Sequence, residues 1–141
     1  MKIFINGSSL KYLVIKMKVR ELLEGLNEKQ RKTVQKCLAS CEILDLEEEV
    51  ETELSPKLME FIKVLSNPIR AGIIKMLKNR WMCVCLIAKA LNQDQTLISH
   101  HLRTLKSMNL LHERREGKLR FYKTNMEELK KYLSVLEKEL F

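Results

Sequence analysis

Residues 94–109 constrain the fold of this chain more than any other stretch. Asp94 is a good helix N-cap, and Ile98, Leu102 and Leu105 recur at three-and-four spacing, with His101 or Met108 extending the row. The pattern predicts a helix from Asp94 to Asn109 with one buried stripe. Its opposite side carries Gln95, Thr96, Ser99, His100, Arg103 and Lys106, with no carboxylate after the cap. Such groups suit a DNA major groove, where donors reach base edges and cations meet phosphates. A short helix is predicted immediately before, Val84 to Leu91, with Leu86, Ile87, Ala90 and Leu91 apolar and Asn92-Gln93 forming the break. Helix, tight turn and longer helix is the helix-turn-helix order. Taken alone, the two helices fit an ordinary core hairpin equally well, so the residues that follow decide between the readings.

From Leu110 the period changes from helical to extended. Leu110 to Arg115 and Leu119 to Thr124 read as short strands joined by a Glu116-Gly117-Lys118 loop, a hairpin placed where a wing would be. Between residues 95 and 124 seven bases stand against two acids, a net charge of +5. Arg115, Lys118 and Arg120 sit at or beside the hairpin tip, within reach of phosphates or a minor groove.

The rest of the chain fits a mainly helical protein with a small β component, since it holds only four Gly and two Pro and is 45% apolar. Its formal charge is +8, yet residues 42–53 hold seven acids and no base, so the remainder carries +15. A basic body favours a polyanion, and nucleic acid comes first. The acidic stretch reads as a solvated linker or exposed helix. A sharper alternative has it keeping the DNA face free of nonspecific contacts, or docking on a partner's basic surface.

Met1 to Met17 is broken by Lys2, Asn6-Gly7, Lys11 and Lys16 and lacks the pattern of a signal peptide. No later run is long enough to span a membrane, so the expected location is cytoplasmic. Ser9 is placed to cap a helix reaching about Glu24, stopped by Gly25, and Asn27 with Gln30 resembles a capping box for a second helix to about Ser40. Ser55-Pro56 and Asn67-Pro68 open two core helices, and Trp81-Met82 reads as a short strand able to pair with the wing. A last helix, Met126 to Leu140, aligns Leu129, Tyr132, Leu133, Leu136 and Leu140 after the DNA module is already complete. With nothing left to cover in its own domain, that stripe is expected to pack against a second protomer, together with the first helix. The alternative is that these helices fold back on the same chain. The expected organisation is an N-terminal helical extension with the acidic segment at 1–54, a winged helix-turn-helix at 55–125 and a dimerisation helix at 126–141. A homodimer would set two reading helices on successive major grooves of double-stranded DNA, about 34 Å apart.

Neighbouring positions on a helix point about 100° apart, so His100 and His101 cannot chelate one ion together; one should face DNA and the other pack inside. The four cysteines form two pairs, Cys37 with Cys41 one helical turn apart, and Cys83 with Cys85 flanking Val84. In a reducing compartment they are thiols. A cage drawn from both pairs would suit Cd(II), Pb(II), Zn(II) or As(III). A thiol-redox switch is a second possibility and would need bonds between the pairs, since neither pair closes an unstrained bridge. Buried cysteines with another effector, or none, are a third. An enzyme is disfavoured because the chain has no glycine-rich phosphate loop and no nucleophile with a base at recognisable spacing. A winged helix that binds protein or RNA is the remaining rival.

Four segments carry a resemblance: Leu65-Ser66-Asn67-Pro68-Ile69-Arg70, Cys83-Val84-Cys85, Ser99-His100-His101-Leu102-Arg103-Thr104-Leu105 and Glu116-Gly117-Lys118-Leu119. In this order, over about residues 55 to 125, the chain resembles the arsenic- and metal-sensing ArsR/SmtB repressors. The resemblance implies a homodimeric winged-helix repressor that binds its operator when free and releases it on binding an inducer, with Ser99, His100 and Arg103 facing DNA. Within that family the cadmium- and lead-sensing repressors are most similar, with a cysteine pair in the N-terminal region and one matching Cys83 and Cys85. The chain departs from the family pattern in four respects. Leu86 stands where an acid is usual, Trp81-Met82 replaces an acid-leucine lead-in, the last helix has no His or Asp for the zinc site that other members build there, and the N-terminal region is longer than usual.

Overall fold

The computed structural model describes residues 16–41 and 44–141 and divides the chain into two compact units, 1–53 and 54–141. In the first, β1 (Lys16–Lys18) leads into α1 (Val19–Glu24) and α2 (Glu28–Cys41), and β2 (Glu49–Glu51) returns antiparallel to β1 with Met17 opposite Val50. The capping box at α2 is reciprocal. The Gln30 amide donates to Asn27 Oδ1 at 2.9 Å, and the Asn27 amide donates to Gln30 Oε1 at 3.3 Å. Arg31 donates to the carbonyls of Leu23, Glu24 and Leu26, tying the start of α2 to the end of α1 and the turn between them.

Two expectations need correction in this unit. Residues 16–18 are strand, not part of a helix from Ser9 to Glu24; Ser9 and the rest of that predicted helix before residue 16 lie outside the described residues. The Lys-Met-Lys alternation has the period of a strand, and Glu49-Val50-Glu51 supplies a partner of the same period and opposite charge. The described part of the acidic stretch is accordingly neither a free linker nor a helix. Lys16 pairs with Glu49 at 3.1 Å, and Lys18 and Arg20 reach Glu47 at 2.8 and 2.9 Å. Each exposed pair is worth little alone, but together they offset the repulsion among the acids.

The second unit runs α3 (Pro56–Leu65), α4 (Pro68–Met76), β3 (Met82–Cys83), α5 (Val84–Leu91), α6 (Gln95–Ser107), β4 (Leu111–Glu116), β5 (Leu119–Thr124) and α7 (Met126–Leu140). The three strands form an antiparallel sheet in the order β3-β5-β4, so the strand before α5 does pair with the wing, one residue later than predicted, and leaves Trp81 exposed. Asn67 Oδ1 accepts from the amides of Ile69 and Arg70, and Asp94 accepts from that of Thr96, fixing the starts of α4 and α6. Asn92 takes the left-handed conformation (φ 50°) and ends α5 in the tight turn. Leu58, Phe61, Ile73, Leu77, Ile87, Ile98, Leu102, Leu105 and Leu110 make the core. Each such side chain contributes roughly 1.5–3 kcal/mol by leaving water.

The wing is rooted at one end. Thr124 donates its amide to the Leu77 carbonyl at 3.0 Å and its hydroxyl to that of Ile74 at 2.8 Å. Asn125 donates its amide to the Leu110 carbonyl and its side-chain NH2 to that of Asn109, while its Oδ1 caps α7. The far end turns at Gly117 in the left-handed region (φ 59°), where glycine carries no Cβ penalty.

Contrary to expectation, the apolar stripe of α7 has something to cover in its own unit. Tyr132 is buried and stacks on Phe61 of α3, with ring centroids 4.4 Å apart and planes 2° from parallel, and Leu129 and Leu136 pack on the same core. This helix therefore does cover its own unit, because α3 leaves Phe61 open on that side. Leu133, Val135 and Leu140 remain exposed.

Candidate nucleic-acid interface

At 100° per residue the capped start of α6 divides its residues cleanly. Ile98, His101, Leu102 and Leu105 are buried, and Gln95, Thr96, Ser99, His100, Arg103 and Lys106 are all exposed. His101 is the histidine turned inward, 6% exposed, with Nδ1 3.5 Å from Arg70 Nη1, and His100 faces solvent. Burial first, then the charges of Arg70 and His100, hold the His101 imidazole below its ordinary 6.5. Arg115, Lys118 and Arg120 are exposed toward the hairpin tip, where the Arg115 Nε donates to the Gly117 carbonyl at 3.4 Å.

The structure adds a residue that the sequence reading did not single out. Glu113 of β4 pairs with Lys106 of α6, accepts from the Tyr122 hydroxyl at 3.3 Å and lies 3.5 Å from Arg120. Lys106 and Arg120, read as free phosphate ligands, thus share one carboxylate. The hydrogen bond from Lys106, then the charges of Lys106 and Arg120 and the Tyr122 hydroxyl, outweigh burial and hold that carboxyl below its ordinary 4.5. Ladder register was the available signal. Glu113 lies directly opposite Tyr122, which puts it on the same face as Arg120.

Among the predicted thiol ligands whose side chains are described, the structure brings Cys83 and Cys85 together. Cys83, buried at the N-cap of α5, and Cys85, exposed one turn-edge away, hold their sulfurs 3.1 Å apart. The hydrogen bond from Cys85, helped by the Leu86 amide, pulls the Cys83 thiol below 9.0, while the same bond raises Cys85. Two sulfurs side by side at a helix N-terminus, one of them made easier to deprotonate, are soft donors of the kind a soft cation takes. Cys37 is exposed on α2 of the other unit, and Cys41 closes that helix. Among the described residues no three His, Cys, Asp or Glu side chains converge on one point, and no helix is long and apolar enough to cross a membrane.

A polar recognition helix over an apolar supporting helix, flanked by a basic hairpin, defines a winged helix-turn-helix DNA-binding protein. The arsR family of bacterial regulatory proteins matches residues 67–113. An uncharacterised HTH-type transcriptional regulator of Methanocaldococcus jannaschii is 42% identical over 67 residues, 47% of this chain and 75% of that protein. The cadmium resistance regulatory protein CadC of Listeria innocua is 33% identical over 69 residues, and the match spans 48% of this chain and 58% of CadC. Among solved structures, NolR of Sinorhizobium fredii superposes with a TM-score of 0.51 at 26% identity, covering 63% of this chain and 96% of NolR. The chain belongs to the ArsR family of transcriptional regulators.

Proposed function

We propose that the protein is a homodimeric repressor that holds its operator with two copies of α6 and lets go when its thiolates take up a soft metal or metalloid. The observation that carries this reading is the division of α6, whose six predicted DNA-facing side chains are all exposed while its opposite face is core. Gln95, Thr96, Ser99, His100 and Arg103 then read base edges, and Lys106, Arg115, Lys118 and Arg120 meet phosphates. One such module covers only about 600–1,000 Å² of DNA-facing surface, which favours a pair. Leu133, Val135 and Leu140 offer the uncovered apolar surface for it. Release is supported by the position of the thiols. Cys83 and Cys85 open the helix on which α6 is packed, so drawing both sulfurs onto one cation displaces the support of the reading helix. A relative is named for cadmium resistance, and a tetrahedral thiolate site needs two further ligands. Cys37 and Cys41 are the candidates.

The experiment is Arg103→Ala, tested on the duplex the wild-type protein selects from a random-sequence pool. Affinity should fall about tenfold or more, with thermal midpoint and sedimentation unchanged. Normal affinity at physiological salt overturns the assignment. Failure of the wild type to retain any duplex at low salt would favour a protein-binding winged helix, and better retention of RNA an RNA-binding one.

A further inference from the structure

We infer that Glu113 is a positioning residue of the interface, one carboxylate that ties recognition-helix Lys106 to wing Arg120 and so sets the wing's angle against α6. The two oxygens divide the work. Oε2 faces the helix and takes the Lys106 ammonium; Oε1 faces the wing and takes Arg120 at 3.5 Å and the Tyr122 hydroxyl at 3.3 Å. The carboxylate is mostly enclosed, its side chain 21% exposed, whereas those of Lys106 and Arg120 are 52% and 60% exposed. An ammonium has three N–H donors and a guanidinium five, so both cations keep donors free on the solvent side while bound to Glu113. The acid faces inward and the bases outward.

The arrangement has two effects on DNA. It spaces two phosphate-binding cations at a distance only a correctly seated backbone can match, which favours specific sites. It also leaves the three side chains with a net charge of +1 instead of +2, which weakens attraction to any other duplex. Tyr122 adds rigidity, because its ring is buried and its hydroxyl fixes the carboxylate's rotamer. No other acid contacts either cation among the described residues.

The inference rests on the proposed DNA role of α6 and the wing, and the test separates the two. The full-length protein and its variants are titrated with the selected duplex and with a scrambled duplex of equal length, over a range of salt. Glu113→Gln, nearly isosteric, should bind the scrambled duplex more tightly and with a salt slope steeper by about one, so that the ratio of selected to scrambled affinity falls about tenfold. Glu113→Asp, which keeps the charge on a shorter stem, should keep scrambled binding low while losing selectivity. In a Lys106→Met/Arg120→Met background, adding Glu113→Gln should raise both affinities alike through the lost negative charge and leave their ratio unchanged. An equal effect of Glu113→Gln on that ratio in the two backgrounds, or none in the wild type, overturns the positioning role. If Lys106→Met/Arg120→Met itself leaves DNA binding intact, it is the interface reading that fails. Thermal melts of each variant separate loss of fold from loss of selectivity.

Discussion

His101 shows how one residue of α6 takes its properties from the core instead of from solvent. Its inward position was legible, because it lies three residues after Ile98 and four before Leu105 on the buried stripe. Arg70 beside it was not legible, since α4 and α6 meet only in the fold. With its folded pKa held below 6.5, the ring takes up a proton more readily in the unfolded chain. Stability from this group is therefore complete above about pH 6.5 and is lost as pH falls toward the folded value. Urea unfolding at about pH 7.5 and 5.5 should show a loss for the wild type that His101→Gln largely removes. An equal loss in both would assign the pH effect to groups other than His101.

At the scale of elements, local signals were read well and pairings poorly. Asn67-Pro68, Asp94 and the Asn27/Gln30 box announce helix starts through bonds within three residues, and all three are made. The strand at Lys16–Lys18 is three residues long and exists because Glu49–Glu51 lies beside it, about thirty residues further on. Glu113 escaped notice for the same reason. Its partners at 106, 120 and 122 converge only once the hairpin has closed and packed on α6. The stacking of Tyr132 on Phe61 makes α7 part of its own unit, so Tyr132→Ala should cost about 3 kcal/mol or more. Chemical denaturation of dilute protein checks this. A loss that disappears on dilution would return the ring to a contact between protomers.

At the scale of the molecule, the recognition surface is built by one unit, and the thiols are shared between two. Composition pointed to a basic DNA-binding body. The pairing of Cys83 with Cys85 was legible from their spacing; whether Cys37 and Cys41 join them was not, because that depends on tertiary placement. A Cd(II) titration of fully reduced protein should give a stoichiometric, chelator-resistant thiolate charge-transfer band in the ultraviolet. Cys83→Ser/Cys85→Ser should abolish it, and Cys37→Ser/Cys41→Ser should weaken it if that pair completes the ligand set. Absence of a tight band in the wild type leaves a DNA-binding regulator answering to another effector.

The root of the wing has a mechanical consequence. Six-residue strands at roughly 3.3 Å per residue make the hairpin a cantilever about 20 Å long. It is clamped at Thr124 and Asn125 to the carbonyls of α4 and of the turn after α6, and it is free at Gly117. In a beam held at one end deflection grows toward the tip, so Arg115 and Lys118 travel furthest while Glu113, near the clamp, barely moves. A wing built this way can follow a groove that widens or narrows with base sequence, and its brace sits where small adjustments are amplified most.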